Sequence, residues 1–97
     1  MDETVLTPGA SDDDQLTIST ASSSAQSATI GIAGNDYIVR LFASKACFVR
    51  IGPDPTAEAN DCPLADNDRD YFVVPGGSKI AAIRSTEDGT LSITIMR

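Results

Sequence analysis

The sequence predicts an all-β fold. The expected form is a single small β-sandwich or barrel of about six to seven antiparallel strands with an extended N-terminal arm. Three observations predict it. Short runs rich in Val, Ile, Phe and Tyr recur from residue 26 onward. Turn signals containing Gly, Pro and Asp separate those runs. No stretch of about ten residues carries the apolar period of a helix. The chain has 97 residues, which suits one domain with a modest core and a net stability on the order of 5 kcal/mol.

Residues 1–25 differ in composition from the rest. They hold Asp2, Glu3, Asp12, Asp13 and Asp14, no Lys or Arg, and the run Ser22, Ser23, Ser24. Such a segment buries too little apolar surface to fold alone. The expected division is an acidic extended arm over 1–25 and a β-sandwich domain over 26–97. Val5, Leu6, Leu16 and Ile18 are the apolar exceptions in the arm. They are placed to anchor on a neighbouring chain by strand addition. Asp12, Asp13 and Asp14 suit a basic patch on a partner. The plainer alternative is a frayed, solvated terminus.

The domain reads as follows. Ala28, Ile30 and Ile32 alternate with Thr29 and Gly31 as a first strand, closed by Gly34, Asn35 and Asp36. Residues 37–42 are dense in β formers, and 47–51 form the expected return strand of a hairpin across 43–46. In that hairpin Phe42 faces Cys47 and Arg40 faces Val49. One face then holds Ile38, Phe42, Cys47, Val49 and Ile51 with Arg40. The other holds Tyr37, Val39, Leu41 and Phe48 with Arg50. Both are mostly apolar, so the hairpin is expected to be covered by a second sheet and by a neighbour. Residues 53–70 form a polar excursion with Pro53, Pro55 and Pro63 and six acids against Arg69. Strands follow at 71–74 and 79–84, divided by Pro75, Gly76, Gly77 and Ser78. Asp88 and Gly89 favour a further hairpin into the last strand, where Leu91, Ile93 and Ile95 alternate with polar residues.

Several of these runs carry a resemblance. They are Val39-Arg40-Leu41, then Ala46-Cys47-Phe48-Val49-Arg50-Ile51-Gly52, then Asp61-Cys62-Pro63-Leu64. Tyr71-Phe72-Val73-Val74-Pro75-Gly76-Gly77, Ile80-Ala81-Ala82-Ile83 and Gly89-Thr90-Leu91-Ser92-Ile93-Thr94 continue the order. Over residues ~28 to 95 the chain resembles small structural proteins encoded in tailed-phage genomes. Gly76 stands where that pattern has a second Pro, and Lys45-Ala46 where a Gly-rich turn is more usual. The resemblance implies a virion component on the capsid or at the tail, made in the host cytoplasm, with no catalytic residues. It implies the major capsid protein or other virion proteins as partners. A homo-oligomer is expected, and a trimer would suit a decoration role.

Composition excludes several function classes. The chain has no His, so His-based metal sites and Ser-His-Asp or Cys-His catalysis cannot be built. The expectation is no enzyme, no cofactor and no metal. A net charge of -7 opposes binding to a phosphate backbone, so no nucleic-acid partner is expected. No apolar run approaches ~18 residues, and the acidic opening MDETVLTPGA lacks a signal-peptide core. No membrane partner is therefore expected.

Four groups of residues remain as candidates. Asp66, Asp68 and Asp70 alternate like the start of a calcium loop. Tyr71 and Gly77 then stand where such a loop needs Gly and Glu, so a solvated turn screened by Arg69 is favoured. Cys47 and Cys62 pair or remain free, with free thiols favoured by Cys47 lying in an apolar strand. Arg40, Arg50 and Arg84 lie in expected strands as partner-binding residues of the sheet. Outside 1–25 and 53–70 the chain holds six basic and three acidic residues. That polarity fits either internal neutralisation or head-to-tail assembly of acidic arm on basic sheet. Tyr37 and Tyr71 are expected in core packing. The function these readings favour is a capsid decoration (cement) protein. A tail, head-tail connector or fibre-base component is the near alternative. A glycan- or peptide-binding module acting through 53–70 is the distant one.

Overall fold

The structure is a computed structural model that describes residues 15–96. Its elements are β1 (Gln15–Thr20), β2 (Ala25–Gln26), β3 (Asp36–Ala43), β4 (Cys47–Gly52), β5 (Cys62–Leu64), β6 (Arg69–Pro75), β7 (Lys79–Arg84) and β8 (Gly89–Met96). They build two four-stranded sheets. The front sheet runs β1-β8-β3-β6 and the back sheet β2-β7-β4-β5. Every strand pairing is antiparallel. The fold class is therefore an all-β sandwich, here with eight strands, two of them very short.

The chain changes sheet at every connection except β4 to β5. Read position by position, the sheet orders match β1 with β2, β8 with β7, β3 with β4, and β6 with β5. This is the connectivity of a double-sheet jelly roll. Alternation along each strand supplies the core between the sheets. Val39, Leu41 and Ala43 of β3 and Leu91, Ile93 and Ile95 of β8 are buried from the front. Cys47 and Val49 of β4, Leu64 of β5, and Ile80 and Ala82 of β7 are buried from the back. Each fully buried Leu or Ile contributes roughly 1.5–3 kcal/mol.

This connectivity corrects the expected hairpins. β3 pairs with β6 and β8, while β4 pairs with β5 and β7. Residues 44–46 are thus an arch between sheets, and Phe42 does not face Cys47. The true core face joins Val39, Leu41 and Ala43 to Cys47 and Val49. β7 and β8 likewise lie in different sheets despite Asp88 and Gly89. The physical reason is competition for strand ends. Gly89 pairs with Thr20 of β1. Ser44 and Thr90 bond through Ser44 N to Thr90 O at 3.0 Å and Thr90 N to Ser44 Oγ at 2.9 Å. The Arg84 amide donates instead to Ala21 O, and that of Ser85 to Ala46 O.

The boundary expected after residue 25 also shifts. β1 lies inside the segment assigned to the arm, and it pairs along its whole length with β8 of the same chain. Its alternation puts Ile18 and Thr20 into the interior and leaves Gln15, Thr17 and Ser19 exposed. For Leu16 and Ile18, the strand addition expected between chains is made here within one. Conversely, residues 28–32 form no strand. Ile30 is buried and makes a lone bridge to Ser78, whereas Ile32 is 71% exposed. Gly31, at φ 59, turns the chain between them.

Of the polar excursion expected over 53–70, residues 62–64 instead form β5, with Pro63 on an edge strand, and β6 begins at Arg69; residues 53–61 are an excursion, and they are anchored rather than loose. Gln26 Nε2 donates to Asp54 Oδ1 at 2.8 Å and to Pro55 O at 2.7 Å. The Ala57 amide donates to Ser24 Oγ, and Arg50 pairs with Asp61 at 2.9 Å. The excursion therefore ties β2 to β4 across the outer side of the back sheet. Ala81, opposite both Gln26 and Arg50 on that side, is fully buried.

Candidate interaction surface

The outer side of the front sheet has no such cover among the described residues. Residues directly opposite in a pairing share a face, so the register assembles this face in rows. Val73, Ile38 and Met96 form one row, and Tyr71, Arg40, Thr94 and Gln15 the next. Arg69, Phe42, Ser92 and Thr17 form the third. The β3–β6 half is thus apolar and cationic, and the β1–β8 half carries hydroxyls, one amide and the Met96 side chain. Asp36 stands at the rim, opposite Pro75.

Three features set the β3–β6 half apart. Tyr71 is 51% exposed and Val73 65% exposed. These are large apolar side chains on an edge strand, where soluble proteins usually place charge. Arg69 lies over the Phe42 ring, with its guanidinium carbon 5.7 Å from the centroid, within cation–π range. Arg40, between Tyr71 and Thr94, has a buried Nε with no hydrogen-bond partner among the described residues. Leaving such a donor unmade costs roughly 1–3 kcal/mol.

The arginines expected to bind a partner separate in the structure. Arg50 is paired with Asp61, and Arg84 with Asp88 at 2.6 Å. Arg40 makes no ion pair among the described residues. Of the arm residues, Val5, Leu6, Asp12, Asp13 and Asp14 lie outside the described residues. Ile18 is in the chain's own core and Leu16 packs against it. The sequence reading missed Tyr71, Val73, Phe42 and Arg69 as surface residues and assigned Tyr71 to the core. The available signal was the alternation of Ile38, Arg40 and Phe42, which share the side of their strand opposite Val39 and Leu41.

The acidic turn has a structural role. The Ala46 amide donates to Asp66 Oδ1 at 2.6 Å and the Arg69 amide to Asp68 Oδ1 at 3.0 Å. The Tyr71 amide donates to Asp70 Oδ1 at 2.8 Å. Asn67 takes a left-handed conformation at φ 55, which Asn tolerates. No group of three His, Cys, Asp or Glu side chains converges among the described residues. Cys47 and Cys62 are both free, the first buried and the second exposed. Burial pushes the Cys47 thiol up to about 11, which makes it a poor nucleophile at neutral pH. An open depression of about 350 Å³ lies beside it, lined by Phe48, Pro63, Leu64, Asp68 and neighbours.

Comparison with family models, curated proteins and solved structures finds no match for this chain. The class that fold and surface define is a small jelly roll with, among the described residues, one covered outer face and one open apolar-cationic face.

Proposed function

We propose that this chain is a non-enzymatic structural protein of a phage particle, most directly a decoration protein that binds the capsid lattice and stabilises the head. The observation that carries the reading is the open face around Tyr71, Val73, Phe42 and Arg40. It has the composition of an interface centre, with aromatic residues and Arg enriched and acids confined to the rim. The order of strand motifs from Val39 to Thr94 supports it by resemblance. The jelly roll supports it by analogy only, because that architecture serves viral capsid proteins, lectins and cupins alike.

Repetition makes such a contact effective. A small interface repeated over a lattice resists outward pressure through many simultaneous attachments. The test is quantitative mass spectrometry of purified particles of the encoding phage. A copy number matching the major capsid protein, or about one third of it, supports decoration of the lattice. A handful of copies moves the protein to the connector, tail or fibre base. Absence from particles overturns the proposal.

A further inference from the structure

We infer that Asp68 and Asp70 close the outer edge of β6 to strand addition, and that the strand they exclude is β6 of a second copy of this chain. The direction of each backbone group along β6 follows from the register. The Ala43 amide donates to Asp68 O at 2.9 Å, and the Gly76 amide donates to Asn35 O at 2.6 Å. The backbone groups of Asp68 and Gly76, just outside the two ends of β6, therefore point toward β3. Along an antiparallel strand these groups turn to alternate sides. Asp70, Phe72 and Val74 thus also bond toward β3, opposite Leu41, Val39 and Tyr37. Arg69, Tyr71, Val73 and Pro75 turn theirs away. β6 is the last strand of the front sheet, so these groups face its open edge.

All but one of the outward positions are closed. The Arg69 amide donates to Asp68 Oδ1 at 3.0 Å, and the Tyr71 amide donates to Asp70 Oδ1 at 2.8 Å. Pro75 has no amide hydrogen to offer. Val73 keeps an outward amide with no acceptor among the described residues. A carboxylate binds an amide roughly twice as strongly as a neutral carbonyl does, so the carbonyl of an incoming strand competes at a disadvantage. Each carboxylate also occupies the line along which that strand would lie. A long apolar edge strand without such protection pairs with other chains.

The sequence of the edge identifies the strand that is kept out. Two copies of β6 pair antiparallel about a two-fold axis at Phe72. Across that axis Arg69 stands opposite Pro75, Asp70 opposite Val74, and Tyr71 opposite Val73. No like charges meet, and Tyr71 with Val73 is a favourable aromatic and β-branched pair. The donors of this pairing are the outward amides of Arg69, Tyr71 and Val73 in each copy. Asp68 and Asp70 already occupy the first two. The device acts on the edge and leaves the open face of the sheet accessible, so it separates side-on pairing of copies from contact through that face.

The test compares full-length chains by sedimentation velocity and by amide hydrogen exchange. Asp68→Ala with Asp70→Ala frees both amides. Asp68→Asn with Asp70→Asn removes the same charges but keeps an acceptor oxygen at each position. The Ala chain should form species of twice the wild-type mass, and exchange at its Val73 amide should slow by at least about tenfold as concentration rises. The wild-type and Asn chains should show neither change. Asp70→Ala alone frees only the Tyr71 amide, should associate in the same way but more weakly, and decides the matter if the double Ala chain does not fold. A folded Ala chain, double or single, that stays at wild-type mass overturns the inference. So does a doubled mass with Val73 still exchanging freely, equal association of the Asn and Ala chains, or protection of Val73 that rises with concentration in the wild type.

Discussion

The ring of Tyr37 fills the space where a side chain on Gly31 would begin. A Cβ at Gly31 would lie 2.1 Å from Tyr37 Cε1, and the residue already holds φ 59. The Ile32 amide then donates to the Tyr37 hydroxyl at 3.0 Å. These contacts fix the loop that carries the buried Ile30 into the core. Gly31→Ala should therefore destabilise the fold by about 2–4 kcal/mol, through clash and backbone strain together. Tyr37→Phe should cost about 1 kcal/mol. Urea unfolding monitored by far-UV circular dichroism measures both, and a Gly31→Ala midpoint equal to wild type would refute the account.

Gly76 packs against the same loop. A Cβ at Gly76 would lie 1.9 Å from Ile32 O. The Gly76 amide also donates to Asn35 O at 2.6 Å. Proline would bring a Cβ and remove that donor. Gly76→Pro should leave little folded protein, as judged by amide dispersion in a proton–nitrogen spectrum. A dispersed spectrum close to wild type would show that loop 32–35 can move aside.

The thiols give a prediction about pH. The folded Cys47 thiol titrates at about 11, against an ordinary 9.0. Above pH 9 the unfolded chain loses this proton while the folded chain keeps it, so unfolding gains ground as pH rises. The stabilisation is fully present below pH 9 and is lost between about 9 and 11, on the order of 2 kcal/mol. Cys47→Ala should remove this part of the pH dependence when stabilities of the two chains are subtracted. Ellman's reagent at pH 8 should meanwhile modify Cys62 rapidly and Cys47 only on unfolding. Parallel stability curves for the two chains across that window would contradict the assignment.

Some of this architecture was legible in the sequence, for a local reason. Alternation within 37–42, 47–51, 71–74, 79–84 and 91–95 is a property of each strand, and all five runs are strands. The arches were not legible. Ser44, Lys45 and Ala46, like Asp88 and Gly89, mark where the chain reverses without saying which sheet receives it. Only the distant partners Thr20, Asp68 and Thr90 decide that. β1 was hidden because the surrounding acids and serines dominate any composition window, although Leu16, Ile18 and Thr20 keep strict alternation. β5 is three residues long and contains Pro63, so no pattern could form. The open face was half visible. Apolar residues on both sides of 37–42 were readable, but which Arg is paired depended on Asp61 and Asp88, known only from the fold.

The acidic turn should respond to mutation as a structural element. Asp66→Ala removes the acceptor for the Ala46 amide within the β3–β4 arch. A loss of about 1 kcal/mol is expected. Faster hydrogen exchange at Ala46 than at Ile93 should accompany it. Unchanged exchange at Ala46 would mean that the carboxylate does not hold the arch.

Arg40 offers the sharpest separation of stability from function. Among the described residues its Nε is buried without a partner beside Tyr71 and Thr94, a desolvated donor that an unbranched apolar side chain would not carry. Arg40→Met keeps the stem that packs on the sheet and deletes that donor. The isolated variant should equal or exceed wild type in stability by up to about 1 kcal/mol. The same change removes the cation at the centre of the open face. Under the proposed decoration role, its incorporation into particles in competition with wild type should fall at least about tenfold, which corresponds to about 1.4 kcal/mol of lost contact. Val73→Lys, on an exposed edge position, should reproduce the assembly defect with stability within about 0.5 kcal/mol of wild type. Arg50→Gln loses an ion pair on the covered side of the back sheet, so it should incorporate normally. A stable Arg40→Met chain that enters particles as well as wild type would show that this face is not the contact, whatever the copy number.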